Sequence, residues 1–178
     1  MPPFIPGQFI ALITFPGVMI HELAHELFCY LTGVKVYEVC YFQFDKDETG
    51  YVLHEATESV IKNFLISMAP LLLGTFLPLL IFSFGFLLFE KESVFLYPFF
   101  WLGGSIGMHA FPSNGDASIL NKAVKEKLKN DNYLVVICYP FLVLVWLANL
   151  LSFFWADLAY SALLGIASEW FINSYLFG

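Results

Sequence analysis

The chain has 178 residues, of which 59% are hydrophobic and 13% are charged, and its mean hydropathy is +0.74. A soluble domain averages about 25% charged residues, so this composition excludes an ordinary soluble protein and predicts a chain embedded in a lipid bilayer. Most acids behind the net charge of −7 lie in short loops or at the ends of apolar segments, so the charge indicates no partner, and no nucleic acid partner is predicted.

Five apolar segments are long enough to cross a bilayer, whose hydrocarbon core of about 30 Å takes about 20 helical residues. They are residues 9–31, 60–89, 94–111, 133–155 and 158–177. Gly33 suits the C-cap of the first segment, whereas Pro70 and Pro78 favour a kink, a tilt or an early end in the second. The sequence predicts an all-α polytopic membrane protein with about five transmembrane helices, in a single domain covering residues 1–178.

Two linkers between these segments have patterns of their own. Residues 34–56 alternate β-branched or aromatic residues with polar ones around a D-K-D-E-T-G turn, which predicts a short β-hairpin after the first helix. Residues 112–132 begin with turn residues and become polar and lysine-rich, which predicts a helix outside the hydrocarbon.

The lysines predict the orientation of the chain in the membrane. All eight basic residues are lysines, and a five-helix topology puts seven of them on one side and Lys91 on the other. Cytoplasmic loops carry the excess of positive residues. We therefore expect the N-terminus outside and the C-terminus and both linkers in the cytoplasm.

Four ionisable residues interrupt the first apolar segment, in the pattern M-I-H-E-L-A-H-E-L at residues 19–27. Each such group costs roughly 2.5–3.5 kcal/mol at mid-bilayer depth, so the group as a whole requires a compensating partner. Four residues apart on a helix, His21 and His25 face the same way and can present two nitrogens to one zinc ion, with Glu22 as the general base acting on a bound water. The alternative is a polar plug that hydrogen-bonds other helices or lies near the cytoplasmic interface.

A catalytic zinc site needs a third protein ligand. Asp116 is the first candidate, because it follows the cytoplasmic end of the third segment, on the same side as the two histidines. Its alternative role is to cap the lysine-rich helix. His109 and His54 are the other candidates for the third ligand.

Two further acids have open roles. Glu26 is expected either to orient an imidazole or to cap the polar face of its helix. Glu169 lies in the fifth segment, where an ionisable residue is a candidate functional group, or else it lies near the cytoplasmic interface.

Several short motifs resemble the site-2 protease family of intramembrane zinc metalloproteases, in particular its small archaeal and bacterial members. They are H-E-L-A-H at 21–25, L-T-G-V-K-V at 31–36, G-Y-V at 50–52, A-P-L-L-L-G at 69–74 and H-A-F-P-S-N-G-D at 109–116. The resemblance implies one Zn²⁺ per chain held by His21, His25 and Asp116, with Glu22 activating the water. It also implies that the extended segment after the first helix holds the substrate as an added strand.

The sequence therefore predicts a zinc metalloendopeptidase in the cell membrane of a prokaryote, hydrolysing membrane proteins or peptides near the cytoplasmic side. The metal-site core would cover about residues 9–120, with accessory helices over about 133–177. A catalytically inactive metal-binding scaffold or a transporter is the alternative from another class. A membrane hydrolase acting on a different acyl group is a third possibility.

Overall fold

The computed structural model describes residues 7–44, 49–129, 133–152 and 155–176. Its helices are α1 (Gly7–Ile13), α2 (Phe15–Thr32), α3 (Val60–Leu88), α4 (Tyr97–Met108), α5 (Asn114–Lys129), α6 (Tyr139–Leu151) and α7 (Ala156–Leu176). Short 3₁₀ turns at Val94–Leu96 and Tyr133–Cys138 precede α4 and α6. A two-stranded antiparallel sheet, β1 (Val36–Cys40) and β2 (Tyr51–His54), follows α2. The predicted helical fold with a hairpin after the first helix is therefore confirmed.

Five transmembrane helices are not confirmed within these described ranges. Only α3, with 29 residues, is long and apolar enough to cross a membrane by itself, and it continues through Pro70 and Pro78. The first predicted segment is broken at Thr14, where α1 and α2 meet at 89°. Pro16 lies in the first turn of α2, and a proline cannot donate the backbone hydrogen bond that would continue α1 into α2. If each bent pair of helices counts as one span, the number rises to three.

Helices α2, α3, α4 and α7 pack side by side around small residues. A Cβ built on Gly74 of α3 would lie 2.5 Å from the Cα of Ala110, beyond the end of α4. A Cβ on Gly107 of α4 would lie 2.7 Å from the hydroxyl of Ser161 in α7. Glycine at these positions therefore lets the helix backbones approach closely.

Helices α5 and α6 pack together against the Val60 end of α3. Their shared core consists of buried apolar residues from all three helices and the turn before α6: Val60, Met68, Leu120, Ala123, Val124, Val135, Cys138 and Val145. The ring of Phe141 near the start of α6 packs 4.9 Å from that of Phe64, and Asn149 near its end donates to the carbonyl of Pro112 at 2.9 Å. The 13 residues of α6 extend only about 20 Å, so α6 stays beside α5 and does not cross the bundle.

Helix α7 runs parallel to α3, and this changes the topology expected from the sequence. Tyr160 near its start hydrogen-bonds Thr75 at 2.6 Å, and Glu169 near its end pairs with Lys91 at 2.5 Å. The Leu176 end of α7 therefore lies beside the turn between α3 and α4, far from α5. The sequence left two roles open for Glu169, a functional group in the fifth segment or a residue near the cytoplasmic interface, with Lys91 predicted on the opposite side. The ion pair contradicts the second role, because it brings Glu169 to the same end of the molecule as Lys91.

The hairpin begins directly after α2. Gly33 caps the helix in the left-handed conformation, with φ +67°, as its position in the sequence predicted. The strands pair from Val36 opposite His54 to Cys40 opposite Tyr51, with one irregularity in the register near Val36. Most of the predicted turn, residues 45–48, lies outside the described residues.

Candidate metal centre

Three side chains from two distant helices converge at one point. His21 and His25 lie one turn apart on α2, and their Nε2 atoms are 3.2 Å from each other. Asp116, in the first turn of α5, places Oδ1 3.3 Å from Nε2 of His25 and Oδ2 3.8 Å from Nε2 of His21. The structure therefore brings together the three residues that the sequence selected as metal ligands.

Backbone carbonyls fix both imidazoles. Nδ1 of His21 lies 2.7 Å from the carbonyl oxygen of His109, and Nδ1 of His25 lies 2.9 Å from that of Ile66. A carbonyl oxygen can only accept, so each Nδ1 carries the proton and donates it. In the neutral imidazoles, each Nε2 then presents a lone pair to the point where the three side chains converge. The two carbonyls hold the rings in place, as backbone carbonyls commonly do for histidines that bind a metal.

This donor set fits a tetrahedral zinc ion. Ligand atoms about 2.0–2.1 Å from zinc at tetrahedral angles lie about 3.3 Å from each other. The distances of 3.2 Å and 3.3 Å at His25 agree with that spacing. Two nitrogen lone pairs and a carboxylate repel one another at these distances, so a cation between them would convert three repulsive contacts into three bonds. Three protein ligands would leave the fourth position open for water, as in catalytic zinc sites.

Asp116 is also part of the N-terminal cap of α5. The backbone N–H and the hydroxyl of Ser113 both donate to Oδ2 of Asp116 at 2.7 Å, and the hydroxyl of Ser113 accepts from the N–H of Asp116 at 3.2 Å. This reciprocal pair is a capping box. Asp116 can therefore cap α5 and also belong to the metal cluster, the group formed by His21, His25 and Asp116.

The other candidates for a third ligand are engaged elsewhere. Nε2 of His109 lies 2.8 Å from the hydroxyl of Thr14, so His109 contributes its carbonyl to the site. Nδ1 of His54 lies 2.9 Å from the carbonyl of Glu55. Neither histidine belongs to the one group of potential metal ligands found among the described residues. Glu26 accepts a hydrogen bond from Tyr41, which connects α2 to the hairpin.

Glu22 is buried in the wall of an open cavity of about 700 Å³ that also contains the three converging side chains. The hairpin covers it closely: a Cβ built on Gly50 would lie 2.7 Å from Cγ of Glu22. Tyr51, Val52 and His54 of β2 line the same cavity. An extended ligand in this space would therefore contact both the hairpin and Glu22.

Sequence reasoning missed the wall of this cavity formed by the end of α6 and the start of α7. Asn149, Ser152 and Asp157 line it. The only signal in the sequence was that these polar residues occur at the end of an otherwise apolar segment. Residues 133–155 were predicted as one membrane span and no role was predicted for these side chains, whereas the fold brings them to the cavity of the metal cluster.

Comparison of the chain with protein-family models, with curated proteins and with solved structures finds no match. The geometry of the site and the resemblance of its short motifs are therefore the grounds on which a function can be proposed.

Proposed function

We propose that the protein is an intramembrane zinc metalloprotease that hydrolyses peptide bonds in membrane-associated substrates. The observation that carries this proposal is the convergence of His21, His25 and Asp116 beside Glu22, inside a cavity open to a substrate. A lone H-E-x-x-H pattern supplies two ligands, whereas this arrangement offers three donor atoms and an adjacent carboxylate.

A bound zinc ion would lower the pKa of a coordinated water towards about 7 and polarise a carbonyl. Glu22 follows His21 in the chain and lines the same cavity, so its carboxylate is suited to take the proton of the attacking water. The same group can then deliver that proton to the leaving amine. The carbonyls of His109 and Ile66 keep the two imidazoles fixed while this happens.

The hairpin is suited to hold the peptide before cleavage. A peptide bond in a helix has its carbonyl already hydrogen-bonded, so the substrate must become extended near the site. In the sheet within the described residues, β2 pairs with β1 along one edge only, and three β2 residues line the cavity. A substrate strand added along β2 would satisfy its main-chain groups there.

We propose that the end of the molecule carrying the metal cluster faces the cytoplasm of a prokaryotic cell. Helix α3 is long enough to cross the bilayer. Lys62 lies near its start and Lys91 lies beyond its end, while the lysines of α5 add to the first group. The positive-inside rule then orients the Val60 end inward.

Metal content and peptide cleavage test the proposal. We expect the purified protein in detergent or liposomes to hold about one zinc ion per chain and to cleave a model transmembrane peptide. Glu22→Gln should retain zinc and lose cleavage by at least about 100-fold, the scale of general acid–base catalysis. Glu126→Gln, an exposed acid of α5 outside the cavity, is the matched control and should cleave normally.

Three results would overturn the proposal. A protein without bound metal, or a Glu22→Gln variant that cleaves as fast as the unmodified chain, contradicts it directly. Stoichiometric zinc without cleavage of any membrane peptide would favour the inactive metal-binding scaffold instead.

A further inference from the structure

The end of α6 and the start of α7 bring three polar side chains to the cavity that holds the metal cluster. Asn149 lies in α6, Ser152 is the C-cap residue of α6, and Asp157 lies in the first turn of α7. All three line the same space of about 700 Å³ as His21 and Glu22. A substrate in that space would therefore meet these groups as well as the metal cluster.

The donors of this wall are already committed to the protein. The amide nitrogen of Asn149 donates to the carbonyls of Pro112 and Val145, both at 2.9 Å. The hydroxyl of Ser152 lies 2.5 Å from Oδ1 of Asp157, to which it donates. Within the described residues no hydrogen bond to Oδ2 of Asp157 and no salt bridge to its carboxylate occur. Asp157 is therefore held in position by one oxygen, with the other available to a ligand.

Charge balance in the cavity indicates which ligand this would be. Its lining contains three carboxylates, those of Glu22, Asp116 and Asp157, and no lysine among the described residues. A divalent ion in the cluster would be held by Asp116 together with His21 and His25, whereas Asp157 does not belong to that group of ligands. A half-buried carboxylate in such a place attracts a cation more strongly than an exposed one, because solvent screens the pair less.

We propose that Asp157 forms a subsite that binds a positively charged group of the substrate, an ammonium or a guanidinium, next to the cleavage site. The role of this subsite in cleavage rests on the proposed protease function. The binding of a cationic peptide at Asp157 can be tested without cleavage. It would select, from apolar membrane peptides, those that carry a basic residue or a free terminal amine close to the bond presented to the metal cluster.

Peptide binding to a cleavage-deficient protein separates this subsite from catalysis. The full chain is loaded with zinc and carries Glu22→Gln. The probes are fluorescent, N-acetylated apolar peptides of a dozen residues with one lysine at successive positions, each compared with a norleucine peptide. We expect one position of lysine to raise affinity by about 10- to 100-fold, the scale of a charge-assisted hydrogen bond, and Asp157→Asn to abolish that gain.

A charge exchange excludes a purely structural role for Asp157 in the first turn of α7. In Asp157→Lys, we expect the preference to reverse, so that the same peptide with glutamate instead of lysine binds better. A structural role would lower the affinity for all peptides equally and would not reverse it. Glu169→Gln, which neutralises an acid at the far end of α7, is the control and should keep the lysine preference.

The two sources of a cation are distinguished by the terminal group. If the norleucine peptide gains Asp157-dependent affinity only when its N-terminus is left free, the subsite binds the terminal ammonium. If acetylated lysine peptides show the gain, it binds a basic side chain. An equal affinity for lysine and norleucine peptides, free or acetylated, would overturn the subsite, as would a lysine preference that survives in Asp157→Asn. Neither result depends on whether the unmodified chain cleaves peptides.

Discussion

At the scale of single residues, Asp116 takes part in two structures at once. One of its oxygens lies toward His25, while the other accepts hydrogen bonds from Ser113. The S-N-G-D turn thus fixes the carboxylate before any ion arrives. A ligand held in this way loses little side-chain entropy on binding metal, since its rotamer is already set by the cap.

Substitutions at 116 and 113 separate these two roles. Asp116→Asn keeps the size of the side chain but removes its charge. We expect zinc affinity to fall by at least about 100-fold, which is the largest loss typical of residues that only hydrogen-bond a metal ligand. Ser113→Ala removes the capping hydroxyl and should cost about 1 kcal/mol of stability with stoichiometric zinc retained. Competition with a zinc chelator and thermal unfolding measure the two effects. Equal zinc affinity in the unmodified chain and Asp116→Asn would contradict ligation by Asp116.

Gly50 gives a second test at this scale. A Cβ at this position would lie 2.7 Å from Cγ of Glu22 and 3.1 Å from the carbonyl of Cys40, so either Glu22 or the hairpin must move in Gly50→Ala. We expect a loss of cleavage of at least about tenfold, since small displacements of catalytic groups are costly, with zinc content unchanged. Gly104→Ala is the matched control, because the nearest atom to its Cβ is the hydroxyl of Ser161 at 3.9 Å. Equal activity of the two variants would show that Gly50 does not constrain Glu22.

The metal cluster also shows how far sequence reasoning reaches. The positions of His21 and His25 follow from helical periodicity alone, so their common face was predictable. Asp116 was selected because it was predicted on the same side of the membrane as the two histidines and because it lies in the H-A-F-P-S-N-G-D motif. Its position beside the histidines depends on how α5 packs against α3, which the sequence does not show. Asn149, Ser152 and Asp157 belong to α6, its cap and α7, and no local pattern connects those segments to residue 21.

At the scale of elements, the hairpin is attached to the helix that carries the histidines. Tyr41, just beyond β1, donates to the carboxylate of Glu26 on α2, and this hydrogen bond raises the pKa of the Tyr41 phenol. Glu26 was expected either to orient an imidazole or to cap a helix face. Through Tyr41, Glu26 connects α2 to the hairpin.

Removing this connection should affect substrate binding before chemistry. In Tyr41→Phe, we expect faster backbone hydrogen exchange over residues 36–44 and 49–54 and a raised KM, with kcat and zinc content nearly unchanged. Tyr37→Phe is the control, because the side chain of Tyr37 is exposed and its ring contacts Lys35, two residues earlier in the chain. A fall in kcat with unchanged exchange rates would show that the hydroxyl acts on the chemistry and not on the hairpin.

The elements were predictable to different degrees, for physical reasons. The hairpin and the cap at Gly33 depend on local turn chemistry, which the sequence contains. Helix α6 was taken for a membrane span because it is uncharged, but its position depends on Phe64, Pro112 and the core of α5. Hydropathy counts apolar residues and does not reveal whether they face lipid or another helix.

At the scale of the whole molecule, the path of α7 decides which surface the C-terminal end occupies. Five crossing helices would put the end of α7 on the same side as the α5 lysines. The contacts of Tyr160 with Thr75 and of Glu169 with Lys91 instead direct α7 toward the turn between α3 and α4. The metal cluster then lies near the Val60 end of α3, whereas Lys91 and the Tyr175 end of α7 lie near its Leu88 end.

Cysteine labelling in sealed cells tests this topology. In a chain whose three cysteines (Cys29, Cys40 and Cys138) are replaced, single cysteines are introduced at exposed Lys129, Glu92 and Tyr175 and treated with a membrane-impermeant maleimide. With the metal cluster facing the cytoplasm, we expect Glu92→Cys and Tyr175→Cys to be labelled in intact cells and Lys129→Cys only after permeabilisation. The reason is the Lys91–Glu169 pair, which holds the end of α7 beside the α3–α4 turn. Labelling of Tyr175→Cys together with Lys129→Cys would instead restore five crossings and contradict the parallel packing of α3 and α7.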